Sequence, residues 1–366
     1  MAPRTGLAYL PLHGGKAPRW LFERMVPLSR EIALAIVEDY GRGELLHRLA
    51  DPFWFQAFGC VLGFDWHSSG LTTTVCGALK EGIKGLERDL GLFVAGGKGR
   101  TSRKTPSEIE AVGERTGLDP APLVYASRMA AKVDNAAVQD GYQLYHHTFV
   151  FTVDSRWAVV QQGMNETNHY ARRYHWLSET VADFVREPHS GIISQTTGTT
   201  LNLVAAESDR ARDTISALAR EEKPEALSRE LKGLLTLKLP PSHPVTLAGI
   251  HPERLEKAFL HAYEAAPKDF ETLLGLEGVG PKTLRALSLI AELVHGVPVS
   301  WRDPALYSFA HGGKDGYPYP VDRQTYDRSI AILETAVRRA RLGDRDKLEA
   351  LRRLSGLQAS DSRLQG

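Results

Sequence analysis

The sequence has few cysteines and almost no net charge, and each shortage excludes a class of protein. Only two cysteines, Cys60 and Cys76, occur among the 366 residues. Their number excludes a cysteine-rich zinc site and a disulfide scaffold. The formal net charge is +1, so any affinity for nucleic acid has to come from local basic patches and not from a uniformly basic surface.

Long apolar runs are also missing. No segment approaches the roughly 20 apolar residues that a membrane-spanning helix needs. The first residues, MAPRTGLAYLPLHGG, lack the apolar region of a signal peptide. We therefore expect a cytoplasmic protein with no membrane association. Hydrophobic residues make up 42% of the chain and charged residues 24%, a composition typical of globular proteins.

The length of the chain indicates more than one domain. A proline-rich segment, LPPSHPV at residues 239–245, interrupts the helical patterns and is typical of a linker. We predict an α/β body of mixed α+β type that contains a β-hairpin, followed by a smaller all-α domain. The predicted ranges are 1–225 for the body, 226–245 for the linker, 246–358 for the helical domain and 359–366 for a disordered tail.

The clearest motif is FETLLGLEGVGPKTLRALSLIAELVHGV, residues 270–297, in which two apolar helical stretches flank a glycine turn. Gly278 and Gly280 allow a sharp turn, and Pro281 suits a first helical position. The free amides of that helix start, with Lys282 beside them, form a phosphate site. The segment looks like a helix-hairpin-helix, which holds DNA by its backbone; the simpler alternative is an ordinary helical hairpin. The predicted DNA contacts here are Gly278, Val279, Gly280, Lys282 and Thr283.

A second basic feature follows a short strand at residues 92–95. The segment GGKGRTSRK, residues 96–104, lacks the spacing of a P-loop. In a DNA-binding protein such a loop would hold a phosphate, and we predict that Lys98 does so; otherwise the loop is a solvated turn.

The polar residues that could carry chemistry are concentrated in residues 124–176. The pattern predicts a helix and then a β-hairpin, with strands at residues 146–153 and 157–164. Carboxylates beside imidazoles suit a divalent ion that activates water against a phosphodiester, and arginine or lysine would hold the phosphate. The alternatives are a buried polar network that organises the core, and a binding groove without chemistry.

We assign candidate roles within and near this block. A DNA-binding role is predicted for Arg172. The predicted ion is manganese or magnesium, with zinc as a further option; the histidines favour manganese or zinc. Of two adjacent strand histidines, only one can face a given site. The predicted metal ligands are Asp65, His67, Asp134, Asp140, His146 and His147. The predicted catalytic residues are Lys132, Asp134, Gln161 and His175.

Two resemblances add expectations. Residues 276–284 resemble the hairpin of helix-hairpin-helix DNA glycosylases, whose lyase members carry a lysine after the turn and an aspartate further on. Lys282 and Asp303 match those positions, which implies a glycosylase or lyase. The whole chain resembles the family called domain of unknown function 763, which implies an α/β body and a hairpin-containing tail. The segments that carry this match are PLHGGKAPRWLFERM, DWHSSGLTTTV, YASRMAAKVDNAAVQDGYQLYHH, WAVVQQGMN and SFAHGGKDGYPYPVDR.

The sequence thus supports three hypotheses. The leading one is a metal-dependent DNA nuclease whose C-terminal part holds the substrate. The second is a glycosylase or lyase that uses Lys282 and Asp303. The third is a non-catalytic DNA-binding scaffold. In each case the partner is DNA, contacted through its backbone with little sequence specificity, and the sequence leaves open whether the chain forms a homodimer.

Overall fold

The β-hairpin predicted from the central block lies in the middle of the main sheet. In the computed structural model its strands, Gln143–Thr152 and Trp157–Asn165, pair antiparallel around a turn at residues 153–156. The hairpin prediction is therefore confirmed. The structure describes residues 17–64, 69–194, 196–237, 249–305, 323–340 and 343–362.

The strands form two antiparallel sheets. Those within the described residues are β1 (Leu92–Lys98), β2 (Val138–Gln139), β3 (Gln143–Thr152), β4 (Trp157–Asn165), β5 (Tyr170–Leu177), β6 (Gly191–Ile193) and β7 (Leu201–Asn202). The main sheet has five strands in the order β1-β3-β4-β5-β6, and β2 pairs with β7 in a small second sheet.

Helices flank the sheet, and none of those described is both long and apolar enough to cross a membrane. They are α1 (Arg19–Tyr40), α2 (Arg42–Ala50), α3 (Pro52–Val61), α4 (Gly70–Gly82), α5 (Glu87–Leu90), α6 (Thr105–Thr116), α7 (Ala121–Lys132), α8 (Asp209–Glu221), α9 (Pro224–Leu234), α10 (Pro252–Ala265), α11 (Phe270–Gly275), α12 (Pro281–Leu293), α13 (Arg323–Arg339) and α14 (Asp344–Ser362).

The two faces of the main sheet support two hydrophobic cores, because successive strand residues point to opposite sides. Phe149 and Val159 belong to the core formed with α6 to α12. Val150 and Val160 belong to the core formed with α1 to α4, α13 and α14. The chain is thus a mixed α+β protein with a sheet between two helical layers, in agreement with the predicted class.

The predicted separate helical domain is not evident in this arrangement. Helix α9 lies largely within the predicted linker at residues 226–245. Helices α8 and α9 pack against α10 and α12, so helices on both sides of the predicted boundary share one core with the sheet. Helices α13 and α14 pack instead against α1 and α3. Helix α14 also runs to Ser362, beyond the predicted start of the tail at residue 359.

Candidate functional site

A buried carboxylate organises the polar residues between α7 and the main sheet. Helix α7 continues into a π-helical turn, Val133–Ala137, that carries Asp134. Asp134 is fully buried. Its Oδ2 accepts hydrogen bonds from Gln161 Nε2 at 2.5 Å and Trp176 Nε1 at 3.0 Å, and its Oδ1 lies 2.5 Å from His189 Nε2. A carboxylate can be buried only with such donors, so Asp134 connects the helix firmly to the sheet.

The amide of Gln161 has only one orientation that satisfies its neighbours. Its Nε2 faces two acceptors, Asp134 Oδ2 and the carbonyl oxygen of Ala130 at 3.2 Å. Its Oε1 must therefore face His147, whose Nδ1 is 2.7 Å away. An amide oxygen only accepts, so the proton of the neutral imidazole lies on Nδ1.

This tautomer leaves His147 Nε2 as an acceptor, and Ser127 Oγ, 2.9 Å away, donates to it. Burial lowers the pKa of His147, although Gln161 and Asp134 act in the opposite direction. A neutral imidazole that accepts from a hydroxyl and is oriented through its other nitrogen is the arrangement of a general base beside a nucleophile. We call Ser127, His147, Gln161 and Asp134 the relay.

A pocket of about 240 Å³ opens at the serine end of the relay. Its walls come from α7, from β3 and from the 3₁₀ helix Gly99–Lys104 that follows β1. Exposed cations lie on α7 and on or directly before the 3₁₀ helix of its wall, and none of them forms an ion pair within the described part of the chain. The cations are Lys98, Arg100, Arg103, Lys104 and Arg128; Arg103 and Arg128 line the pocket itself.

Lys132 follows on the same helix and holds the predicted hairpin turn. Its Nζ donates to the carbonyl oxygens of Leu276 and Val279, both at 2.8 Å. Burial lowers the pKa of Lys132, and Glu277 raises it. Lys132 was predicted to be catalytic. In this structure its ammonium group instead donates hydrogen bonds to the turn between α11 and α12.

Two further side chains fix the same turn. His261 Nδ1 contacts the carbonyl oxygen of Glu277 at 2.8 Å, and Gln139 Nε2 donates to that of Pro281 at 2.8 Å. The turn itself bends at Gly278, whose φ of 81° favours glycine. Its carbonyl groups are therefore held against the protein.

The other residues of the turn that were predicted to contact DNA differ in their exposure. Lys282 and Gly278 are exposed, whereas the side chains of Val279 and Thr283 are buried. Helix α12 starts at Pro281, as predicted, and its N-cap Gly280 supplies no side-chain hydrogen bond. The first amides of this helix lack intrahelical acceptors, so they remain available to a ligand.

Arg172, predicted to contact DNA, is instead buried in an ion cluster. Its guanidinium donates to both carboxylate oxygens of Asp303, at 3.0 and 2.8 Å, and to Asp140 Oδ2 at 2.9 Å. Burial alone would lower the pKa of Arg172, but Asp140, Tyr174 and Asp303 outweigh it and raise the pKa. The cluster joins the segment after α12 to the sheet. Both carboxylate oxygens of Asp303, which a lyase would use, accept hydrogen bonds from Arg172.

The side chains of His175 and His146 point to the opposite face of the sheet from the relay, although His146 also lines the pocket. His175 Nε2 accepts from Arg173 Nε at 2.8 Å, and its Nδ1 contacts the carbonyl oxygen of Leu49 at 2.8 Å. His146 Nε2 contacts Thr148 Oγ1 at 2.9 Å. Neither is close to Asp134 in the hydrogen-bond network, so the structure does not unite the predicted catalytic set.

The predicted metal ligands are likewise divided. Asp134 and His147 belong to the relay, Asp140 to the Arg172 cluster, and His146 to the other face. Asp65 and His67 lie outside the described residues. Among the residues that the structure describes, no group of three histidine, cysteine, aspartate or glutamate side chains could hold a metal ion.

Sequence reasoning missed three members of this site. Ser127 is an isolated serine in a helix and belongs to no motif. Trp176 and His189 are far from Ser127 in the sequence. The contact between His147 and Gln161 could have been predicted from the register of the hairpin. The short turn fixes which residues of the two strands pair, and it pairs these two. No sequence pattern connects His189 to Asp134, which are 55 residues apart.

The comparisons with known proteins give a family but no activity. A family model described as "Protein of unknown function (DUF763)" matches residues 6–321. The chain belongs to the DUF763 family. No curated protein and no solved structure matches this DUF763 chain at a significant level. The family assignment therefore agrees with the resemblance seen in the sequence, and function has to be argued from the site.

The buried histidines of this DUF763 protein predict a loss of stability in mild acid. Burial lowers the pKa of His147, lowers that of His146 to about 3 and lowers that of His175 well below its usual range. Below about pH 6.5 the unfolded chain binds more protons than the folded one at these positions. Stability should thus be full above pH 6.5 and fall by up to about 1.4 kcal/mol per pH unit for each histidine.

Urea unfolding between pH 7.5 and 5 would measure this slope. His146→Asn removes one buried imidazole whose pKa is lowered in the folded protein, and we expect the slope to decrease. An unfolding free energy that is flat over this range, or a slope that His146→Asn leaves unchanged, would contradict the assignment of neutral buried imidazoles.

Proposed function

We propose that this protein binds DNA through backbone contacts at the turn between α11 and α12 and cleaves phosphodiester bonds in the adjacent pocket with the help of a divalent ion. One observation carries the proposal. The turn, with its amides available, and the pocket, with its unpaired cations, lie along the same helix, α7.

The turn has the properties of a phosphate site. Carbonyl groups of the turn are bound by Lys132, His261 and Gln139, so their negative ends face the protein. The N-terminus of α12, which carries the positive end of the helix dipole, lacks a capping side chain. Lys282 is exposed beside it. Such an end binds an anion through amides and therefore grips the DNA backbone without reading bases.

The course of α7 supports a path for the strand from the turn to the pocket. Arg128 lines the pocket, and Lys132 holds the turn. Residues four apart share one face of a helix, with Cβ atoms roughly 6 Å apart. A nucleic-acid strand that leaves the turn along this face would meet the cations of the pocket, which suit the charged oxygens of a phosphodiester.

The divalent ion is proposed from the carboxylate and histidine residues of the sequence. Manganese or magnesium, or zinc, would polarise the phosphate oxygens. Asp65 and His67 are the predicted ligands that remain after Asp134, Asp140, His146 and His147 are accounted for by other contacts. The DNA glycosylase alternative has less support, because the carboxylate of Asp303 is held by Arg172.

Removing the exposed cation of the turn should weaken DNA binding in a salt-dependent way. For Lys282→Ala we expect a several-fold loss of affinity for duplex and single-stranded DNA of any sequence. The slope of log K against log salt should fall by about 1, because one phosphate contact is lost. Fluorescence anisotropy with labelled DNA over a range of salt concentrations measures both quantities.

Two further variants separate charge from geometry. Lys84→Ala removes an exposed lysine from the turn that follows α4, a helix of the opposite layer, and should change neither quantity. Lys132→Met removes the donor that holds the turn, so affinity should fall while the salt slope stays the same. Equal effects of Lys282→Ala and Lys84→Ala would refute the proposed binding site.

Cleavage should require a divalent ion. We expect labelled single-stranded, duplex or flap DNA to be cut with manganese, magnesium or zinc and to remain intact in EDTA. Intact DNA under every metal, with binding retained, would contradict the nuclease and leave a scaffold. Base release in EDTA that Lys282→Ala abolishes would identify a glycosylase instead.

A further inference from the structure

We propose that Ser127 is the nucleophile of this pocket, with His147 as its general base, and that it forms a covalent phosphoserine with phosphate-ester substrates. The inference deepens the proposed function and rests on it for one point, that the natural substrate is a phosphodiester. Neither the sequence nor the family assigned a role to Ser127, and neither predicted that His147 acts as a base.

The hydrogen bond of Ser127 differs from those of comparable serines in this protein. Ser216 and Ser288 are also buried in helices, and their hydroxyls donate to the carbonyl groups four residues earlier, both at 2.8 Å. That is the usual way for a helical serine to satisfy its hydroxyl. The hydroxyl of Ser127 is directed instead to His147 Nε2 at 2.9 Å. A serine that only packs does not need this partner.

The relay has the three parts that activate a hydroxyl. Ser127 contacts the base, His147 is held through Nδ1 by Gln161, and Gln161 is held by Asp134. Nucleophile, base and orienting group in hydrogen-bond sequence define this kind of site whatever the fold. The orienting group here is an amide backed by a carboxylate.

The surroundings select a negatively charged ester. Arg103 and Arg128 line the pocket beside Ser127. Guanidinium groups suit phosphoryl oxygens in particular, because they donate two parallel hydrogen bonds. The pocket, at about 240 Å³, has room for one phosphoryl group with a small substituent.

The reaction balances with water alone. Ser127 Oγ bonds to phosphorus while the bond from phosphorus to the leaving oxygen breaks. His147 Nε2 takes the hydroxyl proton and gives it to that leaving oxygen. Water then attacks the phosphoserine and gives one proton to His147 Nε2, the bond between Oγ and phosphorus breaks, and His147 passes that proton to Ser127 Oγ. A divalent ion on the phosphate oxygens would be compatible with every step.

The direct test is covalent labelling of the full-length protein with a fluorophosphonate in EDTA. Attack by Ser127 expels fluoride and leaves a stable adduct. Trypsin should release residues 116–128, TGLDPAPLVYASR, in which Ser127 is the single serine. We expect the adduct mass on that peptide and on Ser127. Because no DNA and no metal are needed, failure here leaves DNA binding and cleavage to be judged separately.

Three variants complete the test. Ser127→Ala should abolish labelling, and His147→Gln should slow it by about 100-fold, the contribution of a general base. Ser216→Ala is the matched control and should label like the wild type. Circular dichroism and thermal unfolding of each variant report folding.

Each outcome of the labelling experiment either supports or overturns the role of Ser127. An adduct on Ser127 that depends on His147 supports the assignment. No adduct on the folded wild-type protein, an adduct on another residue, or a labelling rate unaffected in folded His147→Gln would overturn it. If Ser127→Ala does not fold, the mass of the wild-type peptide and the His147→Gln rate still decide.

Discussion

The buried carboxylate of Asp134 is the constraint on which the rest of the site depends. It accepts from Gln161 and Trp176 and contacts His189, so it connects α7 with the sheet and with the segment before β6. Removing one partner of such a network leaves a buried polar group unsatisfied, at a cost of about 1–3 kcal/mol or more for a charge. The orientation of Gln161, the tautomer of His147 and the acceptor for Ser127 all follow from this one group.

The same helix couples the two parts of the proposed function. Near its middle, α7 presents Ser127 to His147, and at its end Lys132 fixes the turn before α12. A shift of α7 would therefore alter the pocket and the DNA-holding turn together. Asp134 lies in the π-helical turn directly after Lys132, so the carboxylate that organises the relay also holds the end of the helix that supports the turn. Such π-helical segments occur frequently at functional sites.

Local patterns predicted the local structure well. The β-hairpin, the start of α12 at Pro281 and the exposed Lys282 follow from alternation, turn residues and helix-start signals. The roles of individual polar residues depended on partners distant in the chain. Arginine is a residue type that often contacts DNA, but Arg172 is buried because two carboxylates neutralise its charge. They belong to Asp140 and Asp303, which are 32 and 131 residues away in the sequence. A separate helical domain is not shown by the structure, and the apolar faces of α8 and α9 are completed by α10 and α12.

The measurement that tests this account most directly is the protonation state of the His147 ring. Two-dimensional ¹H–¹⁵N NMR of the histidine side chains identifies which ring nitrogen carries the proton. The account predicts a neutral imidazole with its proton on Nδ1 at pH 7.5, and a changed spectrum in Asp134→Asn, where Gln161 loses its fixed orientation. A proton on Nε2, or a cationic ring at pH 7.5, would contradict the account, because Ser127 would then have no base.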